Sequence, residues 1–391
     1  MTNRILTICI CLVGLGRAES FSFHGALRNS VYLFERDNRQ ALLYQSVRFQ
    51  VVQPHLNTRL GGNFRVLSST VGAQPDERFR LYALYVEFKA FGDRITAAAG
   101  RLYLHPGFSL GALDGLAASW RLQPQLQLQL YGGLPSPIDR RFGLEWEDRR
   151  PLVGATLQAW GGSGSELQLF YLHRFGQGTT LQRLSGVNAT YRPLSNLDLH
   201  AQMHFDLERQ STQRLLFSAR TQWSARLQTN VEYREQQPQI FSDSYFTIFT
   251  PRPYQRWRAA ASLEVLPEKF LELQAQYVRF EREAADQLYV TFSTAYGEIS
   301  AVYESGFAGD QFGLCANAFY DLTERLTVSA AVDLTRYRIE QIYAYDRQWS
   351  NALRLSYRFS RRLSADLEGQ WLNDRLRTYD VRLLNHITMT W

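Results

Sequence analysis

From Phe21 to Trp391, apolar and polar residues alternate in segments of roughly ten, with turn-forming residues between them. The clearest segment is Gln125-Leu126-Gln127-Leu128-Gln129-Leu130, where a period of two places every leucine on one face of a strand and every glutamine on the other. Leu197, Leu199, Ala201, Met203, Phe205 and Leu207 alternate in the same way with Asp198, His200, Gln202, His204, Asp206 and Glu208. Trp257 to Val265 and Leu363 to Trp371 repeat the pattern. No convincing helical stripe interrupts it. The pattern predicts an all-β chain.

Short turns divide the segments: Gln53-Pro54, Phe91-Gly92-Asp93, Gln123-Pro124, Gly161 to Ser165, Pro193 to Asn196, Ser224-Ala225, Pro267-Glu268-Lys269, Asp321 to Arg325 and Ser360 to Arg362. A weaker signal stands at Tyr296-Gly297. They alternate with connections that are usually longer, the longest being Pro135–Arg150 and Gln237–Gln255. Alternating tight turns and longer loops is the pattern of a transmembrane β-barrel, tight on the periplasmic side and longer outside. Nine turns imply 20 strands and the tenth makes 22, or about 17 to 19 residues for each strand with its connection. A tilted membrane strand needs about 9 to 11 residues, so 20–22 strands fit closely. If two or three hairpins fold into loops or the lumen, 16–18 strands result. Trp160, Trp223, Phe359, Tyr191, Tyr320 and Phe91 precede short turns, with Trp120 slightly earlier, as an interfacial girdle requires.

The amino end reads differently. Arg4 followed by the apolar stretch Ile5–Gly16 and the small residues of Gly16-Arg17-Ala18 matches a secretory signal, with cleavage after Ala18. The stretch is too short to span a bilayer as a helix. Residues 1–18 are therefore read as a signal peptide and 19–391 as one transmembrane β-barrel, with no plug domain because strand patterning starts at Phe21. Cleavage would remove Cys9 and Cys11 and leave Cys315 alone, so the mature chain would form no internal disulfide.

The carboxyl end carries the most specific signal. In Val381–Trp391, the terminal Trp391 shares a face with Met389, Ile387, Leu383 and Val381. This resembles the assembly signal of bacterial outer-membrane barrels, with Trp where Phe is commoner and Asn385 intruding on the apolar face. The whole mature chain thus resembles bacterial outer-membrane porins. Gly100-Arg101 followed by Leu113-Asp114-Gly115 is similar to a strand–loop–strand signature of porin-like barrels, including alginate-export channels. The resemblance implies residence in the outer membrane of a Gram-negative-type bacterium. It also implies contact with outer-membrane lipid, and recognition by the barrel-assembly machinery through Ile387, Met389 and Trp391. Monomer and trimer both stay open.

Composition adjusts this picture in two ways. The mean hydropathy of −0.30 excludes a bundle of transmembrane helices but averages the two faces of a barrel into one figure. The 43 basic residues less Arg4 and Arg17 leave 41 against 37 acidic ones, a net +4 that is too mixed for a nucleic-acid binder. Only Lys89 and Lys269 are lysines. With the aliphatic residues turned to lipid, the pore-lining set is Arg48, Glu87, Lys89, Asp198, His200, His204, Asp206, Arg214, Arg220, Arg226, Glu232, Arg234, Arg256, Arg258, Glu264, Arg354, Arg358, Asp366, Glu368 and Arg382. Charges of both signs on one face are costly in hydrocarbon and cheap in a water-filled lumen. Arginine suits that wall because its guanidinium stays charged and pairs bidentately with carboxylates. In the loop Pro135–Arg150, Arg140, Arg141, Glu145, Glu147 and Asp148 are candidates to line a constriction.

The expected function is passive diffusion of small hydrophilic solutes, with at most a faint anion preference and no cofactor or metal. A conduit, exporter or binder for polysaccharide or another specific ligand is the alternative, carried by aromatic-rich polar stretches such as Ile240–Phe246. Catalysis is disfavoured. His200 and His204 lie about 13 Å apart along a strand and cannot share one metal ion. No Gly-x-Ser-x-Gly elbow occurs in the chain.

Overall fold

A computed structural model describes residues 21–391 except 36–38, 70–78, 106–110, 137–149, 177–179, 238–252, 308, 339–343 and 375–376. The first strands are β1 (Ser22–Glu35), β2 (Arg39–Gln53), β3 (Thr58–Ser69), β4 (Phe79–Ala90), β5 (Ile95–Leu104), β6 (Gly111–Gln123) and β7 (Leu126–Pro135). They continue as β8 (Leu152–Trp160), β9 (Glu166–Phe175), β10 (Thr180–Leu194), β11 (Leu197–Asp206), β12 (Ser211–Gln222), β13 (Leu227–Gln236), β14 (Tyr254–Leu266) and β15 (Lys269–Phe280). The last seven are β16 (Glu283–Thr294), β17 (Gly297–Gly306), β18 (Asp310–Thr323), β19 (Leu326–Arg338), β20 (Asp346–Arg358), β21 (Leu363–Asp374) and β22 (Arg377–Thr390).

Each strand pairs antiparallel with the next, and β22 pairs with β1 from Ala26↔Thr390 to Phe34↔Arg382, so the sheet of 22 strands closes on itself. Closure removes every edge, which in lipid is a requirement because an unpaired backbone group has no water to bond. The Tyr296-Gly297 signal is a real turn between β16 and β17, and it decides the strand count in favour of 22. All ten tight turns foreseen from the sequence lie at one end, together with the start of β1 and the end of β22. The opposite end is less uniform than expected. Two of its connections, Leu207–Gln210 and Glu281-Arg282, are as tight as the turns opposite, with Gln210 and Glu281 at φ 50° and 57°.

The period of two resolves into an outer and an inner face. Leu84, Val86 and Phe88 on β4, Leu167, Leu169 and Tyr171 on β9, and Leu353, Leu355 and Tyr357 on β20 are exposed on the outside. An outer surface this apolar is the complement of a bilayer core. At the tight-turn end it is ringed by exposed Phe91, Trp120, Tyr191, Trp223, Tyr296, Tyr320 and Phe359. A second ring, which the sequence pattern did not isolate, consists of Trp257, Tyr277, Tyr303, Phe312 and Trp371. Its members are register neighbours at Trp257↔Tyr277 and Tyr303↔Phe312. From Phe312 to Tyr320 is about 26 Å of strand, or about 20 Å of height at a tilt of about 40°, close to the ~25 Å of an outer-membrane apolar band.

Two local arrangements explain why particular residues occupy the sheet. Gly100 (φ +122°) pairs with Gly115, which pairs with Gly133. A Cβ on Gly115 would sit 2.1 Å from the carbonyl oxygen of Gly132, so three neighbouring strands crowd together at a level only glycine allows. At the seam, Trp391 exchanges backbone hydrogen bonds with Gly25 (3.1 and 3.3 Å), and its ring stacks on Phe23 at 5.7 Å. The indole fills the space a Cβ on Gly25 would need. Residues 1–20 lie outside the described set, and the signal-peptide reading of 1–18 stays an expectation.

Candidate functional site

The inner face has two chemically distinct regions. On β4–β10 it holds an apolar cluster: Leu102, Leu113, Ala117, Tyr131, Leu152, Phe170, Leu172 and Leu184 are buried together, with Tyr85, Ala98 and Leu104 packed against them, and polar residues such as Gln158, Gln168 and Asn188 follow toward the tight turns. Leu113 is 0% exposed. A wall of charge around the whole lumen is therefore not what the chain builds. Period two divides the residues of a strand between two faces but does not say which face meets lipid, so these leucines read from sequence like membrane-facing ones. One register step from Leu102↔Leu113, and on the other side of the strands by alternation with Leu84 and Leu116, Arg101 and Asp114 are joined by two hydrogen bonds, Nε–Oδ1 at 2.6 Å and Nη2–Oδ2 at 2.9 Å. Arg101 also donates to the Leu81 carbonyl at 2.9 Å, and both side chains are nearly buried, at 4% and 7% exposure. The short sequence signature thus becomes one local structure, with Gly100↔Gly115, Arg101↔Asp114 and Leu102↔Leu113 side by side.

The second region, on β11–β15, is polar and carries charges of both signs. Alternation with exposed Met203, Phe217, Val231, Trp257 and Leu263 puts Asp198, His200, His204, Asp206, Arg214, Arg220, Glu232, Arg234, Arg256, Arg258 and Glu264 on the inner face. Arg234 and Arg256 lie directly opposite one another, and Arg214, opposite Gln236, is diagonal to Arg234. Glu232 is the carboxylate they share: it pairs with Arg256 and lies 3.5 Å from Arg234. Arg258 donates instead to Gln274 at 2.8 Å. The Nε atoms of Arg214, Arg234 and Arg256 are buried and make no hydrogen bond. Three guanidiniums around one carboxylate leave a local excess of positive charge.

Several candidates serve the wall itself. His204 bonds Asn188 at 3.1 Å and His200 bonds Thr190 at 3.2 Å, each across to β10. Asp206 accepts the backbone N–H groups of Glu208 and Arg209, shaping the turn after β11. Asp198 pairs with Arg192 at 2.5 Å. Arg226 is not on a strand face: it occupies the β12–β13 turn, one residue before β13, where its carbonyl accepts the Glu264 N–H.

Around the seam, Asp366 accepts from Ser356 at 2.6 Å and pairs with Arg354 at 3.1 Å, and Glu368 accepts from Gln370 at 2.6 Å. Arg382 pairs with Asp380 two residues before it, at 2.6 Å. Arg358 and Arg48 share this inner face with them, as registers Arg358↔Ser364 and Arg48↔Asn63 require. Glu87 pairs with Arg59 at 2.5 Å, and Lys89 lies 3.8 Å from Asp93 of the following turn. Ile387 and Met389 are exposed on the outer face. Arg140, Arg141, Glu145, Glu147 and Asp148 lie outside the described residues.

An aromatic recess, not anticipated from sequence, sits on the inner face of β1–β4 and β22. Arg65 lies over the rings of Tyr44 (5.0 Å) and Tyr82 (5.8 Å), and Tyr32 meets Tyr44 edge-on at 5.2 Å. Tyr32, Tyr44, Arg65, Gln370, Asp380 and Arg382 line a cavity of about 520 Å³. These residues come from distant parts of the chain, so only the closing of the barrel brings them together.

With 22 antiparallel strands, a closing seam, an apolar exterior and two aromatic rings described, the architecture is decided. This chain is a closed outer-membrane-type β-barrel. No protein-family model matches it, and no curated protein matches it. Solved structures with a similar arrangement include Pseudomonas aeruginosa OpdK with vanillate, at 13% identity over 95% of this chain and 99% of that one, with a TM-score of 0.43. Another is a BenF-like porin from Pseudomonas fluorescens Pf-5, at 9% identity over 95% and 99%, with a TM-score of 0.43. A third is the P pilus usher (PapC) translocation pore, at 9% identity over 94% and 99%, with a TM-score of 0.49.

Proposed function

We propose that this barrel is an outer-membrane channel for the passive diffusion of small hydrophilic solutes, and that its arginine group favours small anions such as carboxylates. The observation that carries the reading is the Arg214–Arg234–Arg256 group on the inner face of β12–β14, with Glu232 as its one shared carboxylate. A guanidinium presents parallel N–H donors that match a carboxylate, so a permeating anion would exchange part of its hydration for bidentate contacts along the wall. Glu232 holds Arg234 and Arg256 together and lowers the net charge of the group, which keeps such contacts weak enough for release. The apolar cluster on β5–β10 offers no ion-pairing contacts and would leave the anion to the arginine group. Outer-membrane residence is supported by the two aromatic rings and the band between them.

Liposome swelling tests this directly. Proteoliposomes should swell with small carboxylates faster than with cations of equal size, and a size cutoff should appear. Equal rates for both charges would remove the anion preference, and no swelling with any solute would remove the channel. The aromatic recess around Tyr44 and Arg65 favours one second reading, a conduit that holds sugar rings by stacking and by hydroxyl contacts to Asp380, Arg382 and Gln370. That reading requires an oligosaccharide to inhibit swelling in wild-type protein and not in Tyr44→Ala.

A further inference from the structure

We infer that the outer surface of β19–β20, at the rim away from the tight turns, is a binding site for the phosphorylated headgroup of an outer-leaflet lipid. Val332, Leu334 and Arg336 follow one another on the outer face of β19, where Val332 and Leu334 are exposed apolar residues. Arg336 is opposite Phe312 of the upper aromatic ring on one side and opposite Arg347 on the other. It therefore stands at the upper limit of the apolar band, facing away from the lumen. Arg338 lies one pleat higher and pairs with Asp310, which also accepts from Ser305 at 2.7 Å.

Two features point to an anion. Arg336 and Arg347 form a directly opposed cross-strand pair of like charge, an arrangement that destabilises a sheet unless something neutralises it. Among the described residues no carboxylate pairs with either: Asp310 is engaged by Arg338, and Asp346, opposite Tyr337, takes the inner face. The cluster is also shaped. The guanidiniums of Arg336 and Arg338 lie 4.4 and 4.6 Å from the Tyr345 ring centre, and the Tyr345 hydroxyl reaches Asp310 at 3.5 Å. Stacking on one ring aligns the two arginines and leaves their N–H edges for a ligand. Elsewhere the upper outer rim carries both signs, with Glu235, Arg279 and Asp286 on β13, β15 and β16. The β19–β20 sector is where basic charge gathers. At the level where an apolar band ends, the anion available to a guanidinium is a lipid phosphate.

The test is a titration of the folded, full-length barrel in detergent with bisphosphorylated lipid A, its dephosphorylated form, and inorganic phosphate. Saturable binding of the bisphosphorylated lipid is expected, weaker by about tenfold or more in R336Q/R347Q, since each arginine near an anionic surface contributes about fivefold. The R361Q/R362Q variant, changed in the β20–β21 turn at the opposite rim, should bind like wild type. Heat-modifiable gel migration confirms that each variant is folded. Should R336Q/R347Q not fold, R347Q alone is expected to lose about fivefold. Equal affinity for the dephosphorylated lipid, or unchanged affinity in the folded variant, overturns the inference. Binding of inorganic phosphate as tight as that of the lipid would make this a soluble-anion site and overturn the lipid assignment.

Discussion

The Arg101–Asp114 pair permits the most quantitative test of how the wall is held together. Replacing Asp114 with Ala removes both acceptors of a bidentate pair whose side chains are only 4% and 7% exposed. With so little solvent to screen it, the guanidinium is left charged in a low-dielectric site, and breaking a buried pair this way costs about 3–5 kcal/mol. The Leu81 carbonyl remains as an acceptor, which places the expected loss near the lower end, about 3 kcal/mol. Removing both charges in R101L/D114L should recover much of that loss, because two apolar residues in this buried position need no counter-charge. Reversible urea unfolding of the refolded barrel in lipid vesicles, followed by tryptophan fluorescence, measures both variants. A loss below about 1 kcal/mol for Asp114→Ala, or a double variant no more stable than the single one, would refute the reasoning.

Three further outcomes follow from the same structure. Gly25→Leu places a side chain where the Trp391 indole lies, and should abolish the fast-migrating folded form on unheated gels; normal migration would show that the seam tolerates the clash. In R234Q/R256Q the anion preference should fall toward neutrality while conductance persists, and an unchanged reversal potential in a salt gradient would exclude the group as the selective element. Cys315 faces Ser300 on the inner side and bonds Asp333 at 2.9 Å, so a small water-soluble methanethiosulfonate should label it in the intact barrel and reduce current. Protection equal to that of a lipid-facing position would contradict the assigned faces.

Much of this architecture was legible in the sequence because period two and turn chemistry are local properties. Gln125 to Leu130 declares a strand without knowledge of its neighbours, and Pro267-Glu268-Lys269 declares a turn, with Glu268 at φ 60° as a tight connection needs. What stayed hidden depends on register or on the choice of face. Glu232 is shared by Arg234 and Arg256 only because β13 and β14 align as they do, and no spacing along the chain encodes that. Leu102 and Leu113 carry the same alternation as lipid-facing leucines yet form the inner cluster. Tyr32, Arg65 and Arg382 meet because the sheet closes, over separations that pattern reading does not reach. Arg226 continues the alternation of β13 backwards by one residue, so pattern alone places it on the wall although it stands in the turn.

Planar-bilayer recording of the purified full-length protein tests the central claim most directly. A closed sheet with lipid on one face and a water-filled, partly basic interior on the other should insert and give discrete, reproducible conductance steps, with a reversal potential on the anion side. Properly folded protein that inserts and remains electrically silent would contradict the channel.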